Sequence, residues 1–402
     1  MTELPQPPRG KHLAKGLSIV VVLLAVAFTL YEQATILQQL ERSARDFHTQ
    51  LLPPRQATEI LVVRITDADY ASLFASTSPL NADSLAELLS AIIAGRPRLI
   101  VVDLATAESQ FRPLARLEDD VPIVWGRESA SCDVRGAPQP ECTDGDRTGL
   151  LGFAGLDRPD TRYGLVEMER DPDGVIRRYQ RYRAADGTLR PSLAAAAVEA
   201  LGDGLHGPSD DPLYIRYAPL PPGAFLEASG VIRAARSPDF GEAGILRDQI
   251  VLLGGAYREA RDEHATPVGR MFGVDLQAQV IQTELEGGGL RPLGRGLIGT
   301  LVLLNSLALL MLFRLVSLRR AFWIAIVGIP LLATAWSMIS TGSPFALWPY
   351  LVPVLVAVLV QQLYAQAAHY RDALIDRLGK RLSSKPVEEG VTTSAEGSAT
   401  RE

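Results

Sequence analysis

The chain has 402 residues, of which 47% are hydrophobic and 21% are charged, and its formal net charge is −6. This acidic balance implies no basic surface of the kind that binds nucleic acid. The charges are unevenly distributed, because long uncharged segments alternate with segments of ordinary polarity. This distribution says more about the organisation of the chain than its average composition does.

Three segments contain no Asp, Glu, Lys or Arg, namely residues 16–31, 296–313 and 321–370. A helix needs about 20 apolar residues to cross the hydrocarbon of a bilayer. The turn-forming sequence Thr341-Gly342-Ser343-Pro344 divides the last segment in two. We therefore expect four transmembrane helices, at residues 16–31, 296–313, 321–340 and 345–364. The alternative for such segments is a buried helical hairpin of a soluble protein.

Lys and Arg residues are concentrated on one side of the predicted helices. They occur in residues 9–15, 314–320 and 371–385, whereas the opposite flanks hold few of them. Short cytoplasmic segments carry such an excess. We expect a cytoplasmic N-terminus over residues 1–15, an exported domain over residues 32–294, and a cytoplasmic helix with a disordered tail over residues 365–402. A cleaved signal peptide is the alternative for residues 16–31, because a basic start precedes a short apolar run.

The first part of the exported domain predicts strands of a parallel sheet. Short β-branched runs at residues 59–67, 98–103 and 121–125 are typical of buried strands. Residues 81–94, between the first two runs, have apolar side chains at helical spacing and end before Gly95, a natural helix terminator. Continuous apolar strands that alternate with a helix favour a parallel sheet covered by helices.

The two cysteines, Cys132 and Cys142, both fall in the exported segment. They lie in a polar loop rich in Gly, Pro and Asp, and an exported compartment is oxidising enough to keep a disulfide. Two free thiols or half of a metal site are the alternatives. Because two cysteines without a nearby histidine do not make a zinc site, the sequence favours a disulfide between them.

The middle of the domain differs from its first part. Residues 164–170 and 175–182 flank the turn sequence Asp171-Pro172-Asp173-Gly174 and predict an antiparallel hairpin. The later predicted elements are a helix at residues 192–201 capped by Ser192, strands at 213–217 and 249–255, and a helix at 274–285. The predicted fold class is α/β, with a mainly parallel sheet, helices and an antiparallel hairpin in the exported domain and four α-helices in the membrane.

Several motifs, in order along the chain, resemble the type-two CHASE domain (CHASE2), a cyclase- and histidine-kinase-associated sensory extracellular domain. The motifs are Asp173-Gly174-Val175-Ile176-Arg177-Arg178, Pro191-Ser192-Leu193-Ala194, Ile250-Val251-Leu252-Leu253-Gly254, Thr266-Pro267 and Gly273-Val274-Asp275-Leu276-Gln277-Ala278. One predicted membrane helix before the domain and three after it is also the arrangement usual for this family. The resemblance implies the exported sensory part of a receptor in the bacterial inner membrane, with an unknown ligand.

Members of this family commonly continue into a cyclase or kinase, whereas here a basic helix over residues 370–382 precedes a polar tail. The resemblance therefore implies a signal passed to a separate cytoplasmic partner, which the apolar stripe of this helix would contact. A surface helix on anionic lipid is the other interpretation of residues 370–382. Membrane lipid is an expected neighbour, and a homodimer is compatible with the sequence. The alternative function is an envelope scaffold that senses nothing.

Four residues are the candidates for a ligand pocket. Asp67 and Asp103 end neighbouring predicted strands, and Asp262 and Thr266 follow the last strand. Ligands of open parallel sheets bind at the carboxyl ends of the strands. The alternative is that these side chains cap helices or accept turn amides. No catalytic constellation, metal-ligand spacing or cofactor motif in a suitable context is present, so we expect neither an enzyme nor a cofactor.

Overall fold

The computed structural model describes residues 35–51, 53, 55, 58–106, 109–119, 121–128, 162–185, 188–202, 209–237, 239–291, 300, 370–371 and 373–376. The predicted disulfide and, apart from Thr300, the predicted transmembrane helices lie outside these residues. Within the described ranges, no helix is long and apolar enough to cross a membrane. The chain divides into two compact units, and residues 36–297 belong to one of them. In the other unit, residues 370–371 and 373–376 are helical.

The described domain alternates helices and strands. Its first half contains α1 (Thr35–Gln50), β1 (Ile60–Thr66), α2 (Asp67–Leu73), α3 (Ala82–Ala94), β2 (Leu99–Asp103), a 3-10 helix (Ser109–Asp119), β3 (Ile123–Arg127), β4 (Arg162–Leu165), β5 (Arg178–Gln180), β6 (Tyr182–Ala185) and β7 (Thr188–Pro191). Its second half contains α4 (Leu193–Ala200), β8 (Pro212–Tyr214), a 3-10 turn (Pro222–Ala224), β9 (Phe225–Glu227), α5 (Ala228–Ala234), α6 (Phe240–Ala243), β10 (Ile250–Ala256), a 3-10 turn (Arg258–Ala260), β11 (Glu263–Thr266), β12 (Gly269–Phe272) and α7 (Gly273–Leu285).

The main sheet has six parallel strands in the order β4-β3-β2-β10-β1-β9. Strand β1, next to the edge strand β9, pairs with β10 from Ile60↔Ile250 to Thr66↔Ala256, and β10 pairs with β2 up to Gly254↔Asp103. Strands in the middle of such a sheet are covered on both faces, so they are apolar at almost every position. This burial explains the continuous apolar runs in the sequence.

Helices cover both faces of the sheet. Alternate residues of β1 face opposite sides, so Val63 belongs to the core under α2, α3 and α5, and Val62 to the core under α4 and α7. The first core holds Leu85, Leu88, Leu89 and Ile92 of α3. The second holds Leu193 and Ala197 of α4 with Val274, Ala278 and Ile281 of α7. The domain is therefore a three-layer α/β/α structure.

The last helix of this domain, α7, is buried on all sides. Every residue from Gly273 to Glu284 is buried, including several polar ones. The Asp275 carboxylate forms an ion pair with Arg64 at 2.8 Å. The Gln277 side chain donates to the carbonyl of Val166 at 2.8 Å. The Glu284 carboxylate forms an ion pair with Arg181 at 2.8 Å. Buried polar groups are tolerated when they are hydrogen-bonded in this way, so these polar residues of α7 hold the helix against the rest of the domain.

Most predicted elements are confirmed within two or three residues, including the Ser192 cap, whose side chain accepts from the Ala195 amide.

The hairpin predicted from residues 164–170 and 175–182 is wrong in its position. Residues 162–165 instead join the parallel sheet beside β3, and β5 pairs antiparallel with β8. The turn between them does exist, with Gly174 at φ 81° and its amide donating to the Asp171 carbonyl at 2.8 Å. Antiparallel hairpins occur elsewhere, as β6–β7 and β11–β12.

Candidate functional site: a cleft at the carboxyl edge of the sheet

The carboxyl edge of the sheet has a topological switch point. β2 and β10 are neighbours, yet the chain leaves β2 towards the α3 face and leaves β10 towards α7 on the opposite face. Connections that diverge from adjacent strands leave a crevice outside the carboxyl ends, where open α/β sheets bind ligands. The candidate site lies at this edge of the sheet.

A cleft of about 480 Å³ lies there, formed by the loop after β10 and the β11–β12 hairpin. Its lining consists of Tyr257, Arg258, Arg261, Asp262, Glu263, Arg270 and Phe272. Two of the arginines have carboxylate partners, since Arg258 pairs with Asp67 at 3.5 Å and Arg270 with Glu263 at 2.7 Å. The Tyr257 ring stacks on Tyr70 with centroids 4.2 Å apart. The cleft therefore has one aromatic wall supported by α2 and a rim of both charges.

Asp262 is the predicted site residue that lines the cleft. Its carbonyl accepts from the Gly273 amide at 2.8 Å, and a Cβ at position 273 would collide with its carboxylate. Gly273 is therefore required where Asp262 lies against the start of α7. A carboxylate is also favoured there by the partial positive charge of a helix N-terminus.

His264 connects Asp262 to a further arginine. Its Nε2 lies 2.7 Å from the Asp262 carboxylate, and its Nδ1 lies 3.1 Å from Arg170. Because Arg can only donate, a neutral His264 accepts at Nδ1 and donates from Nε2 to Asp262. This chain of contacts orients the Asp262 carboxylate at the edge of the cleft.

Asp103 ends β2 beside Gly254 of β10 and is not among the lining residues. Burial of its carboxyl raises the pKa of Asp103 to about 7, and the negative charges of Asp262 and Glu128 add to the rise. This carboxyl can therefore exchange a proton near neutral pH. Among the described residues, no three His, Cys, Asp or Glu side chains are arranged to hold a metal ion.

The other two candidates have local structural roles. The Asp67 carboxylate accepts from the Arg258 amide at 2.9 Å and so holds the loop that carries part of the lining. The Thr266 hydroxyl donates to the Gly269 carbonyl at 2.6 Å and closes the turn of the β11–β12 hairpin. The structure thus places Asp262 in the lining of the cleft, Asp67 against Arg258 of that lining and Asp103 next to Gly254, and it leaves Thr266 outside the lining.

Sequence reasoning missed most of the lining, including Tyr257, Arg261, Arg270 and Phe272. A signal for part of it was present, because a dense charged run from Arg258 to His264 directly follows the last buried strand. Such density after a buried strand marks an exposed loop at the carboxyl edge. Arg270 and Phe272 carry no comparable signal, since the return strand of the hairpin brings them to the cleft.

A second polar cluster joins α1 to the domain. The buried Arg177 binds both carboxylate oxygens of Asp46 at 2.7 Å and also contacts Asp171 at 2.8 Å and Asp173 at 2.9 Å. Bidentate arginine–carboxylate pairs are strong and directional. The Gln50 side chain donates to the Pro267 carbonyl in the β11–β12 turn at 2.7 Å. The end of α1 is therefore bound both to the domain interior and to the hairpin that forms the cleft.

The segments that enter and leave the domain meet at Tyr214. Arg45 of α1 donates to the Tyr214 hydroxyl at 2.5 Å and lies over its ring, 4.4 Å from the centroid. The Tyr214 backbone exchanges two hydrogen bonds with Leu290, of 2.8 Å and 3.1 Å. One residue thus fixes both ends of the domain next to each other.

A three-layer α/β domain with a cleft at its switch point and adjacent ends is a compact module suited to insertion between two other segments. The CHASE2 domain family model matches residues 19–318, and the chain therefore belongs to the CHASE2 family. This family comprises sensory extracellular domains, so a sensory role is supported. No curated protein and no solved structure matches the chain.

Proposed function

We propose that this protein is a membrane-anchored bacterial sensor whose CHASE2 domain lies outside the cytoplasm and signals to a separate cytoplasmic effector. The observation that carries the proposal is the meeting of the entering and leaving segments at Tyr214. A domain inserted between two membrane helices on one side of a bilayer needs adjacent ends. The uncharged segments at residues 16–31 and 296–313, which flank the domain in sequence, supply those helices.

The ligand of this sensor is a small polar molecule with an acidic group, bound in the cleft. Arg258 and Arg270 have carboxylate partners, whereas no described residue supplies one to Arg261. Arg261 also has a positive φ of 51°, which places it at a sharp turn of the lining. An acidic group of the ligand would pair with this arginine, and Tyr257 and Phe272 would contact its apolar part.

Two contacts support a route from the cleft to α1. The Ala265 carbonyl, in the first strand of the hairpin, accepts from Ile176 at 2.9 Å, and the next residue, Arg177, holds Asp46 of α1. The turn of the same hairpin contacts Gln50. If the hairpin has two conformations and the ligand binds one of them more tightly, ligand binding would shift the hairpin towards that conformation and move α1 with it. That shift is the signal that the membrane helices would carry inward.

The topology can be tested with single cysteines in a chain whose two native cysteines are replaced by serine. Exposed Ser90 of α3 and Ser383 of the tail are the two positions, each changed to Cys. In intact cells with a permeable outer membrane, an impermeant thiol reagent should label position 90 alone, and both positions should react after lysis. Labelling of position 383 in intact cells would overturn the proposed orientation.

A further inference from the structure

Two charges of the cleft lining remain when its ion pairs are set aside. Arg258 and Arg270 each lie against a carboxylate, so each of these pairs is close to neutral. Arg261 and Asp262 also line the cleft, and within the described part of the chain they pair neither with each other nor with another arginine or carboxylate. The cleft therefore presents one positive and one negative charge to the molecule that fills it.

The Asp262 carboxylate is oriented but only partly enclosed. Its side chain is 46% exposed, and the contact of 2.7 Å with His264 occupies one of its two oxygen atoms. A neutral His264 donates this hydrogen bond without adding charge, so the carboxylate keeps its negative charge. A cationic group that enters the cleft can therefore reach Asp262 and donate a charge-assisted hydrogen bond to it.

Arg261 has an unusual backbone conformation. Its φ of 51° lies in the left-handed region that glycine adopts most readily, so an arginine at this turn carries a conformational cost. Such a cost points to a use for the side chain. A guanidinium binds a carboxylate through two parallel hydrogen bonds. Because Arg261 and Asp262 are consecutive residues that line the same cleft, the groups that they bind belong to one small molecule.

We propose, building on the proposed function, that the acidic ligand of the cleft is a zwitterion, namely an amino acid with an apolar side chain. Its carboxylate pairs with Arg261, and its ammonium group pairs with Asp262. A free amino acid carries both charges on one carbon atom, as two consecutive residues require. The apolar side chain contacts Phe272 and the Tyr257 ring, which is fixed by its stack on Tyr70. The cleft volume of about 480 Å³ is typical of a small-molecule site.

Calorimetric titration of the full-length chain in lipid nanodiscs tests the proposal with three probes that share a benzyl group. L-Phenylalanine carries both charges, 3-phenylpropionate lacks the ammonium group, and 2-phenylethylamine lacks the carboxylate. L-Phenylalanine should bind about tenfold more tightly than either of the others, or more tightly still, because each of them loses one charged hydrogen bond.

The outcomes separate this proposal from the proposed function. Equal affinity for L-phenylalanine and 3-phenylpropionate would overturn the zwitterion and leave the acidic ligand intact. Equal affinity for L-phenylalanine and 2-phenylethylamine would contradict the acidic group and therefore both proposals. Failure of all three probes to bind at millimolar concentration would overturn the amino-acid ligand, whereas the labelling of positions 90 and 383 tests the orientation independently.

Two substitutions on the same loop separate recognition of the ammonium group from loss of folding. Asp262→Asn removes the charge and keeps the size of the side chain, so it should weaken L-phenylalanine about tenfold, while 3-phenylpropionate binds at least as tightly as before. The control is Glu259→Gln, which should keep the preference, because Glu259 is exposed on the turn before Arg261 and lies outside the lining. Equal weakening of both probes by Asp262→Asn, or the same loss of preference in Glu259→Gln, would overturn the proposal.

Discussion

At the scale of single residues, Asp103 shows how a position in the sheet alters the chemistry of a side chain. It ends a buried strand, beside Gly254, at the edge where Asp262 and Glu128 also place carboxylates. Burial disfavours its charged form, and the two neighbouring negative charges add to this effect. In the folded chain Asp103 therefore holds its proton at pH values at which an unfolded chain has released it.

The unfolding free energy should consequently depend on pH through Asp103. The pKa of this carboxyl is about 7 in the folded chain and 3.8 in its ordinary state, so between these values the folded state binds more protons. The unfolding free energy should fall as the pH rises from about 4 to about 8, by on the order of a few kcal/mol. Asp103→Asn should remove most of that fall, as measured by denaturant unfolding of the full chain at pH 5 and pH 8.

The control for this experiment is Asp210→Asn, because Asp210 is exposed and only its backbone carbonyl makes a described contact. This variant should keep the dependence of the natural chain. If Asp103→Asn and Asp210→Asn lose the same amount of stability between pH 5 and pH 8, the dependence has a different origin.

At the scale of elements, α1 and α7 depend on buried polar contacts more than on ordinary amphipathic packing. α7 has no solvent face between Gly273 and Glu284, so its side chains must find partners inside the protein. α1 makes its described domain contacts through polar residues, above all the bidentate pair of Asp46 with Arg177. Such a pair fixes orientation as well as distance, which suits the role proposed for α1 in signalling.

Breaking the Asp46 pair should loosen α1 without unfolding the sheet. Asp46→Asn keeps the shape of the side chain but removes the charge, and hydrogen bonds to charged groups contribute about 1.5–3 kcal/mol. Amide hydrogen exchange in residues 42–50 of the full chain should therefore accelerate roughly 10- to 100-fold, with β1 and β10 unchanged. Asp173→Asn is the matched control, because it removes a partner of the same arginine that lies on the turn rather than on α1. Equal acceleration in both variants would contradict this role of Asp46.

At the scale of the whole molecule, the adjacency of the domain's two ends and the distribution of Lys and Arg are independent observations that agree. The first is a contact of Tyr214 with Arg45 and Leu290, and the second is a property of the flanking sequence. Adjacent ends support the proposed insertion between two membrane helices, and the Lys and Arg distribution supports the proposed orientation of this CHASE2 domain. The oxidising location that this proposal implies has a consequence for the two cysteines.

Cys132 and Cys142 should be joined in protein isolated from its natural compartment, because exported compartments keep disulfides oxidised. Their loop is short, and closing it should stabilise the fold by about 2–3 kcal/mol. Peptide mapping without reductant should yield one linked pair, and Ser90→Cys in the same chain should remain a free thiol as an internal control. Recovery of both native cysteines as alkylated thiols would argue against the pairing and against export.

The sequence by itself determined the local elements and the family. Residues 60–66, 99–103 and 250–256 are strands, and residues 82–94 and 273–285 are helices, close to the predicted bounds, because burial on both strand faces or on a helix leaves a pattern readable within a short window. The tertiary structure alone decided that residues 162–165 join the parallel sheet, that Arg270 and Phe272 reach the cleft, and that Arg177 binds α1. Each of these features depends on partners distant in sequence, and no local spacing records which distant residue will be near.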